Sequence, residues 1–480
     1  MKKNIFLCHG DIGLFRNILD EIDQENDKIS FKGLFSTGDK TLSEITDKDV
    51  FTLFNFLKNN SDYYTDNCLS AEEINYFRKE CFYNFITQTD RLSIKLISNT
   101  EKLKFFDSFI GYFLDYFRKK EITNVIFHTT PHMAFDYIFF HIASYLKIKK
   151  MIFFRTYYED TILIADDYRK DLFKPFINHE INDKIDILKK NISAWGKVGV
   201  SINQISLKNS NLSGFINFLK IIAKKIKYTF FNKQLQSYNL LNINNNFFIF
   251  IYLHILHLVK TYQLRNKYKI LSKKINYDNE YIFFAMHNQP EKTTNPEGEE
   301  YDNQINAIKF LRKIIDKKIR IYVKEHPKQL SPYTGDVRQL HSRSKKDYNL
   351  INMIENCHFL DIDSDINKIV KKSKLNVTIS GTVAWQSLLE SVPSITFANT
   401  WHSNCKSSPT VSRDKYIAIE QISNLLTKNK NEIKYDMENF SNEIKNKIFN
   451  TSISDFEIQN SSNDKSLLKK NLYEAIIKNL

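Results

Sequence analysis

Two short runs in the second half of the chain combine side chains and backbone geometry suited to holding phosphate. Ser380-Gly381-Thr382 follows the apolar run Leu375-Asn376-Val377-Thr378-Ile379 and opens a helical pattern closed by Pro393. A strand that turns through Ser-Gly-Thr into a helix presents hydroxyl donors, unpaired backbone N–H groups and the positive helix end together. Lys324-Glu325-His326-Pro327 ends an earlier strand of the same unit and brings a cation, a carboxylate and an imidazole, with a proline that stops the strand. Beside a pyrophosphate or a phosphodiester, Lys324 neutralises charge and His326 donates a hydrogen bond to the departing phosphate. The two runs together predict a site for a phosphorylated donor of the nucleotide-sugar kind.

Further candidates surround them. His287-Asn288-Gln289-Pro290-Glu291 follows another strand and continues into the polar loop Thr293-Thr294-Asn295-Pro296-Glu297-Gly298, richer in hydrogen-bonding side chains than a plain turn needs. His287 and Gln289 are assigned to the donor side and Glu291 to the catalytic candidates. In the first half, Asp11 follows the first strand and His132 closes Thr129-Thr130-Pro131-His132; either can take a proton from an acceptor hydroxyl. Asp11 also reads as a helix cap and His132 as a helix-start residue. Asp361-Ile362-Asp363-Ser364-Asp365 has the look of a metal-binding Asp-x-Asp, but Ser364 or Asp365 as an N-cap accounts for it, and no metal ligand is assigned.

The elements that must position these residues show in the apolar periodicity. Between Tyr281 and Phe397, five strand-like runs alternate with four helical ones, which predicts a parallel, doubly wound sheet. Ligands bind outside the carboxyl ends of such strands, so the His287, Lys324 and Ser380 runs belong on one rim. The first half repeats the theme more loosely, with strands at Ile5 to Cys8, Val125 to Phe127 and Met151 to Phe154, and helices at 71–86, 101–118 and 132–146. The expected division is an acceptor-side α/β domain at 1–275, a nucleotide-donor-binding α/β domain at 276–415, and C-terminal helices at 416–480 that pack back on the domains. The first domain carries a Lys-rich helical insert at about 170–275, where Lys220, Lys224, Lys225, Lys227 and Lys233 alternate with Phe and Ile. That insert reads either as a basic amphipathic helix for an anionic membrane surface or as packing with a solvated lysine face.

Composition narrows the class. With 480 residues and 42% hydrophobic content the chain can bury two ordinary cores. A formal charge of +14 favours anionic partners, but the lysines are spread along the chain, and nucleic acid is not expected among them. Cys8, Cys68, Cys81, Cys357 and Cys405 form no CxxC or metal-ligand spacing, which fits isolated thiols in a reducing compartment. The first apolar run stops at His9-Gly10-Asp11 without a cleavage site, so it reads as a strand rather than a signal peptide. The longest apolar stretch, 247–259, is too short to span a bilayer. The expected location is cytoplasmic, peripheral on the inner face of the cell membrane.

The ordered set from His287-Asn288-Gln289-Pro290-Glu291 through Lys324-Glu325-His326-Pro327 to Ser380-Gly381-Thr382 and Pro393 resembles the bacterial capsular and surface polysaccharide biosynthesis family. These are GT-B glycosyltransferases related to the capsule Kdo transferases and, more distantly, to the bacterial polysialyltransferases. Thr130-Pro131-His132 before Asp136-Tyr137 also resembles that family's N-terminal domain, and the match covers roughly 281–400 with patches before it. The resemblance implies a GT-B-like α/β fold: two Rossmann-like doubly wound domains facing a cleft, with the donor held by Lys324, Glu325, His326, Pro327, Ser380, Gly381 and Thr382. Gln386 stands where a glutamate is frequent and would meet the donor ribose without charge, while Glu390 lies one turn later. The implied activity is metal-independent transfer of a sugar, a CMP-linked acidic sugar first among the donors, to a surface or capsular polysaccharide or a lipid-linked glycan. UDP- and GDP-sugars also fit, and no cofactor is expected beyond the donor substrate. Two other readings compete: a CDP-glycerol or CDP-ribitol phosphotransferase of the teichoic-acid type, and a non-enzymatic basic scaffold for membranes or nucleic acid.

Overall fold

The computed structural model describes residues 2–8, 12–36, 49–52, 69–92, 98–170, 247–332 and 337–480, with isolated positions at 216, 219, 220 and 223. Asp11 lies outside the described residues, as does nearly all of the lysine-rich run at 214–233.

The N-terminal unit runs β1 (Lys3–Cys8), α1 (Ile12–Glu25), β2 (Ile29–Ser36), β3 (Asp49–Thr52), α2 (Ala71–Glu80), α3 (Phe82–Leu92), α4 (Asn99–Lys119), β4 (Asn124–Phe127), α5 (Phe135–Tyr145), β5 (Lys149–Arg155) and β6 (Ile162–Ala165). The strands form one sheet in the order β3-β2-β1-β4-β5-β6, parallel except for the β5–β6 pair. Both faces of β1 are covered: Ile5 and Leu7 meet Phe15 and Leu19 of α1, while Phe6 and Cys8 meet Phe113 and Phe139 of α4 and α5. A strand buried on both faces reads as a continuous apolar run, which is why β1, β4 and β5 stand out in the sequence. β2 hides because Lys32 and Gly33 interrupt it; a Cβ at Gly33 would come within 2.7 Å of both Asp49 O and Tyr116 Oη, so the glycine is what lets β3 and α4 close on the strand. The 71–86 helix of the sequence reading is two helices, α2 and α3, broken at Cys81.

The second unit runs α6 (Phe247–Leu271), β7 (Tyr281–Ala285), α7 (Gln304–Ile314), β8 (Arg320–Lys324), α8 (Lys345–Asn352), β9 (Cys357–Phe359), α9 (Ile366–Lys372), β10 (Leu375–Thr378), α10 (Val383–Leu389) and β11 (Ser394–Thr396). Its five strands are all parallel, in the order β11-β10-β7-β8-β9. The chain winds from β7 to β9 on one side, then crosses to β10 and β11 on the other, so the topological switch lies between β7 and β10. Alternate residues split between the two helical layers: Ile282 and Phe284 pack with Ile308 and Leu311, and Tyr281 and Phe283 with Ile366 and Ile369. The fold is thus α/β and GT-B-like, two Rossmann-like doubly wound units in contact.

Four helices finish the chain: α11 (Lys415–Thr427), α12 (Lys430–Ile444), α13 (Asp455–Asn460) and α14 (Lys465–Asn479). α12 brings Phe440 and Ile444 to Tyr158 of the first unit and to Trp385 and Trp401 of the second. α14 returns to the first sheet, burying Leu468, Leu472 and Ile476 against the Ile5 and Leu7 face, and Asn124 Nδ2 donates to the Leu480 carbonyl at 3.3 Å. Among the described residues no helix is long and apolar enough to cross a membrane.

Leu472 is fully buried where α14 meets the first sheet. Leu472→Ala should therefore lower unfolding stability by about 2–5 kcal/mol through lost transfer energy and a residual cavity. Urea titration reads this directly, and an unchanged midpoint would mean that α14 does not hold the sheet.

Candidate functional site

His287, two residues past the end of β7, and the turn after β10 meet across the switch point, the place where open α/β sheets bind ligands. His287 is fastened by its main chain, whose N–H donates to Gln304 Oε1 at 2.7 Å and whose carbonyl accepts from Gln304 Nε2 at 3.1 Å. Its ring Nε2 accepts the Ser380 N–H at 3.1 Å, with Thr378 Oγ1 at 3.0 Å. An acceptor at Nε2 puts the ring proton on Nδ1. Burial, with the Arg343 charge, pushes the His287 pKa down to about 4, so the ring stays neutral. Gly381 follows from this contact: a Cβ there would stand 2.8 Å from Thr378 Oγ1 and 3.3 Å from His287 Cε1 and Nε2.

The same contact changes what the turn offers. Ser380 spends its N–H on His287 and its hydroxyl on the Thr293 carbonyl at 3.1 Å, so it frames the turn. Among the described residues the N–H groups of Gly381, Thr382 and Val383 take no backbone partner, and the Thr382 hydroxyl makes no capping bond. α10 has only seven residues, so these turn amides, more than a helix dipole, are the anion-binding resource.

Lys324 ends β8 beside Ala285 and is 6% exposed. Its ammonium has no hydrogen-bond or ion-pair partner among the described residues, and burial pulls its pKa down to about 8 against the more distant charges of Asp363 and Asp361. The strand period places it on the Tyr322 and Ala285 face, where Val383 at the start of α10 also packs. Glu325 turns the other way. Its Oε2 accepts from Tyr348 Oη at 2.9 Å and pairs with Arg343 Nε at 3.0 Å, its Oε1 accepts the His326 N–H at 2.9 Å, and its own N–H goes to Tyr268 Oη at 3.2 Å. Its carboxylate therefore anchors the loop.

Pro327 begins a 3-10 turn, Pro327–Leu330, that His326 caps, with ring Nδ1 accepting the Lys328 N–H at 3.2 Å. The proton of the neutral ring is then on Nε2, as a hydrogen-bond donor. Burial pushes the His326 pKa down to about 3, helped by His287, Lys328 and Lys324. Gln289 frames its loop, its N–H on Gln329 Oε1 at 2.8 Å and its Nε2 on the Asp302 carbonyl at 3.0 Å. Glu291 accepts from Asn288 Nδ2 at 3.1 Å, and burial raises its pKa against that bond and the charges of Lys328 and Arg338. Gln386 is half-buried on α10, while Glu390 pairs with Lys371 at 3.1 Å on the surface. Asp365 caps α9 through the N–H groups of Asn367 and Lys368, and Asp361 accepts from the Asp363 N–H at 3.0 Å.

One carboxylate that the sequence reading passed over joins the two units. Glu297 Oε1 accepts from Thr130 Oγ1 at 2.8 Å and lies 3.7 Å from Lys292 Nζ, while Oε2 is 3.5 Å from Ser380 Oγ. Lys292 Nζ in turn donates to Thr129 Oγ1 at 2.8 Å. His132 Nδ1 donates to the Thr130 carbonyl at 2.8 Å, which leaves Nε2 as the proton-accepting nitrogen of the neutral ring. A chain of contacts therefore crosses from His132 through Thr130 and Glu297 to the Ser380 turn. Glu297 shows in the sequence only as one member of the polar 293–298 loop, because Thr130 and Ser380 lie more than eighty residues away and only Lys292 is local.

No protein-family model and no curated protein matches the chain. Among solved structures, a beta Kdo 2,7 transferase from Thermosulfurimonas dismutans is 8% identical over 85% of this chain and 97% of its own, with a TM-score of 0.31. A UDP-GlcNAc 2-epimerase from Methanocaldococcus jannaschii is 13% identical over 90% and 94%, with a TM-score of 0.25. A glycosyltransferase from Rickettsia africae is 12% identical over 100% of both chains, also with a TM-score of 0.25. Similarity at this level carries no argument about activity; the architecture rests on the two strand orders.

The histidines set an acid limit. His287 and His326 have folded pKa values near 4 and 3 against 6.5 for the free side chain, so below pH 6.5 the unfolded chain binds more protons. Their contribution is complete above pH 6.5 and is lost as pH falls toward those folded values, on the order of 2 kcal/mol for His287 at pH 5. Melting temperature should hold from pH 8 to about 6.5 and fall below it, with a shallower fall in His287→Asn. A melting temperature that rises on acidification to about pH 5 would contradict the neutral rings. Gly381→Ala should cost about 1–3 kcal/mol in chemical denaturation, because the new methyl must displace Thr378 or His287.

Proposed function

We propose that the chain is a glycosyltransferase that uses a nucleotide-activated sugar, with the donor phosphate over the β7/β10 switch point. Lys324 carries the reading. A nearly buried ammonium with no ion-pair partner among the described residues, only the more distant charges of Asp361 and Asp363, is costly to fold around, and an anionic ligand offsets that cost. The turn amides of Gly381, Thr382 and Val383 and the His326 Nε2–H are neutral donors suited to the same anion. Arg343 is already committed to Glu325. One uncommitted buried cation with neutral donors suits a monophosphate ester, and with the resemblance carried by Lys324-Glu325-His326-Pro327 this supports a CMP-linked acidic sugar as donor and a surface or lipid-linked glycan as acceptor.

In the proposed reaction the acceptor oxygen bonds to the anomeric carbon as the bond from that carbon to the phosphate oxygen breaks. His132 Nε2 takes the acceptor proton, and the charge gathering on the departing phosphate is met by Lys324 and the His326 Nε2–H. Glu297 and Lys292 hold the two halves of the site in register. The carboxylates of Asp361 and Asp365 are engaged in the turn and the α9 cap, and the proposed chemistry draws its positive charge from the chain, so activity should survive EDTA.

Thermal shift with CMP-, UDP- and GDP-sugars tests the donor, since a ligand bound only by the folded chain raises its melting temperature. Lys324→Met should weaken the donor at least about thirtyfold, roughly 2 kcal/mol, while the free protein melts at the same temperature or higher. His326→Ala should slow transfer about a hundredfold, near 3 kcal/mol of transition-state stabilisation. A full donor response in Lys324→Met would remove the phosphate from this rim. Transfer of a phosphodiester with release of CMP would favour the phosphotransferase instead.

A further inference from the structure

α6 is apolar on two faces. One face carries His257, Leu264 and Tyr268 and is buried against α8, β9 and the segments 327–330 and 337–341. The opposite face carries Tyr252, Ile255, Val259, Tyr262 and Ile270, which are 62, 54, 48, 59 and 77% exposed. At 100° per residue these five fall within an arc of about 80° along roughly five turns. Single exposed hydrophobic residues are ordinary; the stripe from Tyr252 to Tyr262, with Ile270 beyond the exposed Asn266, marks an interaction surface.

Charge identifies the partner. From Phe247 to Tyr277 there is no Asp or Glu, while Lys260, Arg265, Lys267, Lys269, Lys273 and Lys274 all fall within it. Lys260 is held by the Leu340 carbonyl at 3.0 Å, but Lys269, Lys273 and Lys274 are exposed at the C-terminal end of the stripe. A second copy docking here through a two-fold axis would set this acid-free helix against itself, with like charges facing. Two tyrosines among branched aliphatics, followed by lysines, are instead the composition of a helix lying in a lipid interface: the phenol tips stay at headgroup level and the ammonium groups meet lipid phosphate.

We infer that the exposed face of α6 docks on an anionic membrane leaflet, with the helix lying in the plane of the interface. Tyr252, Ile255, Val259 and Tyr262 enter the headgroup region, and Lys269, Lys273 and Lys274 hold lipid phosphate. The inference is independent of the proposed reaction, although the buried face of the same helix supplies the Tyr268 hydroxyl that receives the Glu325 N–H, so docking would fix the donor site close to the leaflet.

Sedimentation of the full chain with vesicles of phosphatidylglycerol and phosphatidylcholine, against phosphatidylcholine alone, tests it. The protein should bind the anionic vesicles and release them as salt rises. Replacing Tyr252, Ile255, Val259 and Tyr262 together by Ser should cut binding at least about tenfold with an unchanged melting temperature. Replacing Lys269, Lys273 and Lys274 by Gln should weaken binding and flatten its salt dependence. The inference is overturned by wild-type protein that ignores anionic vesicles, or by a lysine variant that binds them as wild type does. It is also overturned if the serine variant melts well below wild type or changes oligomeric state, since the stripe would then be covered by protein.

Discussion

The hydrogen bond from the Ser380 N–H to the neutral ring of His287 joins the two strands that flank the switch point. It requires an unprotonated Nε2, and burial supplies one. It brings the ring close to the turn, so that a Cβ at position 381 would crowd both Thr378 Oγ1 at 2.8 Å and the ring at 3.3 Å. It consumes the first amide, while the next three have no backbone partner among the described residues. The His326 ring follows the same logic one strand away, with Nδ1 spent on Lys328 so that the other nitrogen carries the proton. Two histidines are thus held neutral with opposite tautomers, one accepting to build the site and one left to donate.

The two units meet through two kinds of contact. Near the switch point the contact is polar: Asn295 exchanges hydrogen bonds with Asn84, Thr87 and Gln88, and Lys292 and Glu297 reach Thr129 and Thr130. Elsewhere it is aromatic, with Trp385 Nε1 on Tyr158 Oη at 2.9 Å and Trp401 and Phe440 packed around them. Water can replace the first set at small net cost, because each exchanged hydrogen bond is worth only about 1 kcal/mol, whereas exposing the aromatic side forfeits apolar burial. The aromatic contact is therefore the durable one, and the polar seam is the side through which a ligand can enter.

Much of this was legible in the sequence, and the division is physical. The second sheet showed fully, because each strand buried on both faces is an apolar run and each helix between carries its own periodicity. In the first sheet the interrupted β2 and the four-residue β3 and β6 were missed. The rim that gathers His287, Lys324 and Ser380 followed from strand order alone. What each side chain does there did not follow: Glu325 looked like a ligand group until Arg343 and Tyr348 were seen to claim it, and Ser380 until its N–H was found on His287. Glu297 showed only as part of the polar 293–298 loop, since its significance lies in Thr130 and Ser380, which only tertiary packing brings near.

The site's charge state is set from both sides by the same burial. Desolvation pulls Lys324 down to about 8 and holds His287 and His326 neutral to about 4 and 3. Between those bounds the rim presents one ammonium and two neutral rings. A bound anion would raise the upper bound, because it adds negative charge to that of the more distant Asp361 and Asp363, while the lower bound is set by the folding equilibrium, which the histidines erode before they titrate in place. The free protein carries this lysine at a cost to its own stability, and an anion bound beside it, as proposed for the donor phosphate, would turn that cost into affinity.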